Sequence, residues 1–244
     1  MPKFTDDDVV QVNTGHFGFS GARPESLSGV EYTLATVVVD TTGSTAAFVA
    51  ELQKACETIV EACKKSPRAD NLLLRVAQFN SSIGVQEVHG FLPLDQIDVA
   101  RYANLAATGW TNLNDAVYTS VDASNKYAKI LAGQDYLVNG ALYIVTDGDD
   151  NRSVYTPNQI KEILAAATQE EYLESLHTVL IGVNTATLGY RLKAFQEAIG
   201  LDQYVDIEDA TAGKLAKLAA FVSRSISSQS QALGTGTPSQ NLVF

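Results

Sequence analysis

Three short segments carry oxygen-bearing side chains of the kind that hold a hard metal ion. They are Val39-Asp40-Thr41-Thr42-Gly43-Ser44, Thr108-Gly109-Trp110-Thr111-Asn112-Leu113 and Val145-Thr146-Asp147-Gly148-Asp149. Together they offer the carboxylates of Asp40 and Asp147 and the hydroxyls of Thr42, Ser44 and Thr111. Such donors suit Mg²⁺, which takes an octahedron of oxygens at roughly 2.1 Å and retains several waters. In the first segment the alternate residues 40, 42 and 44 can point the same way, and Gly43 is expected to let the chain bend. Each piece alone has an ordinary explanation, since Asp-x-Thr-x-Ser is a common capping turn and Thr-Asp-Gly a common loop. The argument rests on their conjunction at the ends of elements.

Those elements are legible from periodicity. Residues 31–40 (EYTLATVVVD) form a β-branched run ending in Asp, which predicts a buried strand. Phe48, Leu52, Ala55, Ile59 and Cys63 then recur at helical spacing until Pro67 and Asp70. Leu72 to Phe79 and Ile83 to Val88 read as two strands, and the short link Asn80-Ser81-Ser82 makes them a hairpin with one antiparallel strand. Residues 91–108 read as a loop and a short helix, and Leu113 to Leu131 as a long helix. Strands follow at Ala141 to Val145, His177 to Val183 and Tyr204 to Ile207. Between and after them lie helices from Thr156-Pro157 to Thr168, from Leu188 to Ile199 before Gly200, and from Ala212 to Ile226.

Strands that alternate with helices predict an α/β fold: a Rossmann-like, open, mostly parallel six-stranded sheet with helices on both faces. Ligands of such sheets bind at the carboxyl ends of strands, which is where Asp40 and Asp147 fall. The expected organisation is an N-terminal arm at 1–30, irregular or with a short extra strand, a domain at 31–226, and a flexible tail at 227–244. The tail sequence is Ser/Gln/Gly/Thr-rich with little to bury.

The order Asp40-x-Thr42-x-Ser44, Thr111, Asp147 resembles the metal-ion-dependent adhesion site of von Willebrand factor A (vWA) domains, whose pattern is Asp-x-Ser-x-Ser, a distant Thr and a distant Asp. The resemblance covers about residues 31–226 and is to the bacterial or phage intracellular type. It implies a Mg²⁺ (or Mn²⁺) met directly by Ser44, Thr42 and Thr111, with Asp40 and Asp147 acting mainly through bound waters. It further implies a non-enzymatic binding module whose protein partner supplies an Asp or Glu carboxylate to the remaining position. Family context places such modules beside ATPases or kinases. Thr42 departs from the usual Ser, adding a methyl. Trp110 stands where relatives often have Gly, and it reads either as a partner contact or as core. Asp149 reads as a partner contact or as part of a solvated loop with Asp150 and Asn151.

An enzymatic reading stands beside this one. Asp40-Thr41-Thr42-Gly43-Ser44 and Thr146 to Asn151 also resemble loops of the haloacid-dehalogenase-like superfamily, which implies a Mg²⁺-dependent phosphohydrolase with Asp40 as nucleophile. The match is poorer, because the acid/base Asp expected two residues after the nucleophile is Thr42. His16, His89 and His177 are scattered, with no triad or ligand spacing, and read as structural. No GxSxG, P-loop or GxGxxG occurs.

The 244 residues are 45% hydrophobic and 18% charged, a globular composition. Seventeen Lys+Arg against 28 Asp+Glu give a net charge of −11, which argues against nucleic acid or an anionic membrane surface as partner. No apolar run is long enough for a transmembrane helix. The acidic start, Met1 to Asp8, predicts no secretory leader. Cys56 and Cys63 lie on one helix face, roughly 10 Å apart along the axis, too far for a disulfide. Free thiols and no leader together predict a cytoplasmic protein.

Overall fold

The computed structural model describes residues 9–13, 17–169 and 172–244, apart from the side chain of Thr168. The acidic start and His16 lie outside these described residues. The chain runs β1 (Val9–Asn13), β2 (Gly18–Ala22), β3 (Glu31–Asp40), α1 (Val49–Cys63), β4 (Leu72–Asn80), β5 (Gly84–Pro93), α2 (Leu113–Ala132), β6 (Leu137–Thr146), α3 (Pro157–Gln169), β7 (Leu176–Val183), α4 (Gly189–Ile199), β8 (Gln203–Ile207) and α5 (Ala212–Thr235). One eight-stranded sheet has the order β1-β2-β5-β4-β3-β6-β7-β8.

β3 is central because almost every residue in it is buried on both faces, as its β-branched run requires. Ala35, Val37 and Val39 point to the layer of α1 and α5. Leu34 and Val38 point to the layer that includes α2. β4 and β6 flank β3 in parallel, with Asp40 opposite Phe79 and Val39 opposite Val145. That register brings the carboxyl ends of β3 and β6 level.

The sheet corrects the expected count of six strands. The six expected strands are β3 to β8, and the hairpin β4–β5 is antiparallel. The arm adds two more: β1 and β2 pair antiparallel, and β2 joins β5 in parallel at Gly21 and Phe91. Two strands, β2 and β5, therefore run against the rest. Polar anchors hold this extension, with Ser20 N–H and Oγ both donating to Glu87 at 2.9 Å and Tyr127 Oη donating to Ala22 O at 2.6 Å.

The expected end of the closing helix at Ile226 is also corrected. α5 continues to Thr235 and buries Gln229, Ser230 and Ala232. Its polar residues face partners rather than water: Asn139 donates to Gln229 O, Arg68 to Ser230 Oγ, and Tyr143 to Ser225 Oγ. The last residues return to the fold, where Gln203 donates to Leu242 O at 2.8 Å and the Phe244 ring meets Phe221 edge-on.

Residues 91–108 complete β5 and then form two short 3₁₀ turns, Leu94–Gln96 and Val99–Asn104. Both cysteines are free and buried, with burial pushing each thiol up to about 12. Among the described residues no helix is long and apolar enough to cross a membrane.

Candidate metal centre

The chain leaves β3 at Asp40 and turns at once into a 3₁₀ turn, Gly43–Ala47, ahead of α1. Asp40 sets that exit: one carboxylate oxygen accepts from Thr42 N–H at 2.8 Å, the other from Thr146 Oγ1 at 2.6 Å. Thr146 closes β6 and is followed by Asp147, so the bond ties the two strand ends together. Ser44 Oγ in turn donates to Asp147 Oδ1 at 2.8 Å and lies 3.0 Å from Thr42 Oγ1. Asp40, Thr42, Ser44 and Asp147 thus form one contiguous cluster.

Thr111 reaches the same edge by a separate route. Its N–H donates to Asn151 Oδ1 at 3.0 Å, and its carbonyl accepts from the N–H groups of Asn151 and Arg152. A methyl on Gly148 would stand 3.8 Å from Thr111 Oγ1, so the hydroxyl lies beside the loop that follows Asp147. No hydrogen bond joins it to the other four side chains among the described residues.

Backbone bonds hold the three loops in register. Thr108 N–H donates to Thr41 O at 2.8 Å and Gly43 N–H to Gly109 O at 3.1 Å. Asn80, at the end of β4, donates to Thr41 O and accepts from Ser82 N–H. The glycine that this packing requires is Gly109, with φ of 69°, where a Cβ would stand 2.7 Å from Ser82 Oγ. Gly43 does not have a positive φ and a Cβ there would meet only ordinary contact. The expected bend at Gly43 is present as the turn Gly43–Ala47, but it does not depend on glycine there.

The electrostatics are unusual for an interior. Asp40 is 1% exposed, and burial together with the Asp147 charge pushes its carboxyl up to about 6, against the bonds from Thr146 and Thr42. Burial raises Asp147 as well, against its bond from Ser44. Neither carboxylate has a Lys, Arg or His partner among the described residues. Two buried acids and three hydroxyls, with no protein cation, fit a hard divalent ion, whose charge would balance the pair. Among the described residues no three His, Cys, Asp or Glu side chains gather as a metal group. Any ion here depends on the hydroxyls.

Trp110 is 61% exposed, so it is not core. Its backbone is pinned to Ser81 at both N–H and C=O, and the Arg152 guanidinium stands 5.7 Å from its ring centroid. Asp149 accepts from Arg191 at 3.0 Å in a surface ion pair. His89 is structural, placed between Gly90 O and Tyr102 Oη, and His177 is buried in β7 with its ring nitrogen 4.0 Å from Asp202. The sequence pattern gave no role to Thr146, Asn80 or Gly109, and Asn151, expected in a solvated loop or as a supporting contact, supports Thr111. Of these, Thr146 had a visible signal as the hydroxyl residue directly before Asp147.

No family model matches this sequence, and no curated protein matches it. Solved structures do resemble it in fold. The pilus adhesin SpaC of Lactobacillus rhamnosus GG, in an open conformation, superposes with a TM-score of 0.62 at 11% identity, covering 93% of this chain and 35% of that one. Proximal thread matrix protein 1 from the mussel byssus gives 0.56 at 18% identity over 81% of this chain and 47% of that one. A form of the same mussel protein described as having a zinc-occupied MIDAS motif gives 0.54 at 19% identity, covering 80% and 46%. The chain thus spans between a third and a half of these neighbours, and the likeness shows a vWA-like fold.

Proposed function

We propose that this vWA-like chain is a metal-dependent protein-binding module. The observation that carries the reading is the pair of buried carboxylates, Asp40 and Asp147, that share one strand edge with three hydroxyls and lack a protein cation. A bound Mg²⁺ or Mn²⁺ would supply an electrophilic position able to accept an anionic ligand. Thr42, Ser44 and Thr111 would hold that ion through their hydroxyls. Asp40 and Asp147 supply the balancing charge, and Asp147 already orients Ser44. The partner is a protein that presents an Asp or Glu carboxylate, with Trp110 and Asp149 at the rim. An intracellular bacterial setting beside an ATPase or kinase is the family context of the motif. The two buried free thiols agree with a cytoplasmic location.

The phosphohydrolase reading is disfavoured by Asp40 itself. Both its oxygens are engaged by donors and it is shut away from solvent, whereas a nucleophile needs an oxygen aimed at the reacting phosphorus. The test compares two assays on the same preparation with Mg²⁺. A binding module captures a partner that EDTA releases, and shows no turnover of a generic phosphate ester. Ester turnover lost in Asp40→Asn would replace the binding reading with the enzymatic one.

A further inference from the structure

The start of α2 is capped by a distant segment of the chain. An N-cap side chain usually takes the N–H groups of the second or third helical residue, here Asn114 and Asp115. The N-cap residue Asn112 makes no such bond. Both groups are taken instead by the loop that follows Asp147: Asn114 N–H donates to Asp150 Oδ1 and Asp115 N–H to Ser153 Oγ, each at 3.1 Å. Ser153 Oγ in turn donates to Asp150 Oδ1, which joins the two caps.

The loop is held by the helix in the same way. Asp115 Oδ1, in the first turn of α2, accepts from Val154 N–H at 2.8 Å and from Tyr155 N–H at 2.9 Å. Asn114 Nδ2 donates to Tyr155 O at 3.1 Å. Helix and loop thus exchange carboxylates, each closing on the backbone of the other. Among these bonds lies Asn151, whose side chain accepts from Thr111 N–H. The Thr42, Ser44 and Asp147 side chains are bonded to one another, whereas the Thr111 hydroxyl has no hydrogen bond to that cluster among the described residues. What fixes Thr111 is the loop that starts at Asp147 and is fastened to α2 by Asp150 and Asp115.

We propose that Asp150 and Asp115 are positioning residues of the metal centre: their reciprocal caps lock the 148–155 loop onto α2 and so keep Thr111 where its hydroxyl can serve the ion. This rests on the metal-dependent reading above. Each acid acts through an acceptor oxygen, which an asparagine also carries. An acid that acted on the ion through its charge could not be replaced in that way.

Calorimetric titration of Mn²⁺ into Asp150→Ala, Asp115→Ala, Asp150→Asn and Asp115→Asn tests it, with melting in EDTA read for each protein. Both alanine variants should lose about tenfold in Mn²⁺ affinity, and both asparagine variants should stay within about twofold of wild type. Without metal, amide hydrogen exchange at Thr111 and Asn114 should quicken in Asp150→Ala and stay slow in Asp150→Asn. Ser153→Ala deletes only the bridging hydroxyl and should lower Mn²⁺ affinity in the same direction, which keeps the test decisive if an alanine variant does not fold. A lower melting temperature with Mn²⁺ affinity unchanged marks a merely structural role and overturns the proposal. Equal losses in the alanine and asparagine variants, the mark of a charge effect, overturn it too. Wild type that binds no Mn²⁺ defeats the metal reading and the proposal with it, whereas wild type that binds Mn²⁺ no better than the alanine variants defeats the proposal alone.

Discussion

Two acid clusters in one sheet, one half-buried and one buried, are satisfied in opposite ways. On the β5 side, Glu87 accepts from Arg75 Nε at 2.6 Å and from Ser20 N–H and Oγ. Arg75 is 1% exposed, so this acid has its counter-charge built into the core. At the ends of β3 and β6, Asp40 and Asp147 have hydroxyl and amide donors but no cation. Arg75 is supplied to the half-buried Glu87 carboxylate, whereas Asp40 and Asp147 lack a cation among the described residues, and the proposed ion site rests on that contrast. The first cluster anchors the β1–β2 extension, and the second is the one proposed above to take its counter-charge from a divalent ion.

The largest expected effect comes from breaking the self-sufficient pair. Arg75→Ala removes a fully buried side chain and leaves the half-buried Glu87 carboxylate without its cation, and the loss should be about 3 kcal/mol. Thermal unfolding should show a fall of about 10 °C. Asp40→Asn in EDTA should behave oppositely, melting at or above wild type, because it removes a charge that has no partner. If Asp40→Asn without metal is as damaging as Arg75→Ala, the contrast between the two clusters collapses.

The pH dependence sharpens the same contrast. His89 sits beside Arg75, and burial, with the Arg101 and Arg75 charges adding to it, pushes it down to about 4. The folded state keeps it neutral, so stability falls as pH drops from about 6.5 toward 4, by about 3 kcal/mol in all. Asp40 works in the other direction. Its folded value of about 6 lies above the ordinary 3.8, so stability present at low pH is lost as pH rises from about 3.8 to 6, again by about 3 kcal/mol. Urea unfolding in EDTA should therefore show a nearly flat wild-type profile between these limits. Asp40→Asn should become more stable with rising pH, and His89→Gln less stable. Parallel profiles for all three proteins would contradict both assignments.

A smaller effect is expected where backbone alone serves the site. Gly109→Ala forces a left-handed residue and a Cβ contact with Ser82, costing about 1–2 kcal/mol and weakening divalent-ion affinity, as read by calorimetry. The smallest effect belongs to the Asp149–Arg191 pair, which is at the surface. Asp149→Asn should change stability by less than about 1 kcal/mol and leave ion affinity unaltered. Its partner affinity tests whether Asp149 contacts a ligand.

What could be read in advance follows from locality. The Asp40-x-Thr42-x-Ser44 spacing and the hairpin at Asn80-Ser81-Ser82 are set within a few residues; the structure brings Thr42 and Ser44 together and forms the hairpin, with the second strand starting at Gly84 rather than Ile83. β2 (GFSGA) has no apolar alternation, and its place depends on Glu87 and Tyr127, which are distant in sequence. The second half of α5 reads as solvated because Ser and Gln dominate it. In the structure the Ser230 and Ser225 hydroxyls meet Arg68 and Tyr143, and the Gln229 carbonyl accepts from Asn139, a polar interface that a hydrophobicity pattern cannot reveal. Gly109 rather than Gly43 carries the turn because the clash it avoids is with Ser82 on another loop.

The central claim is that Asp40 and Asp147 wait for a divalent ion, and thermal unfolding of wild type and Asp40→Ala with and without Mg²⁺ or Mn²⁺ tests it most directly. Ion at about 100 times its Kd should stabilise wild type by about 2.7 kcal/mol, or about 5–10 °C, and should not move Asp40→Ala. An equal rise in both proteins, or none in wild type, would contradict the account of the site while leaving the fold intact.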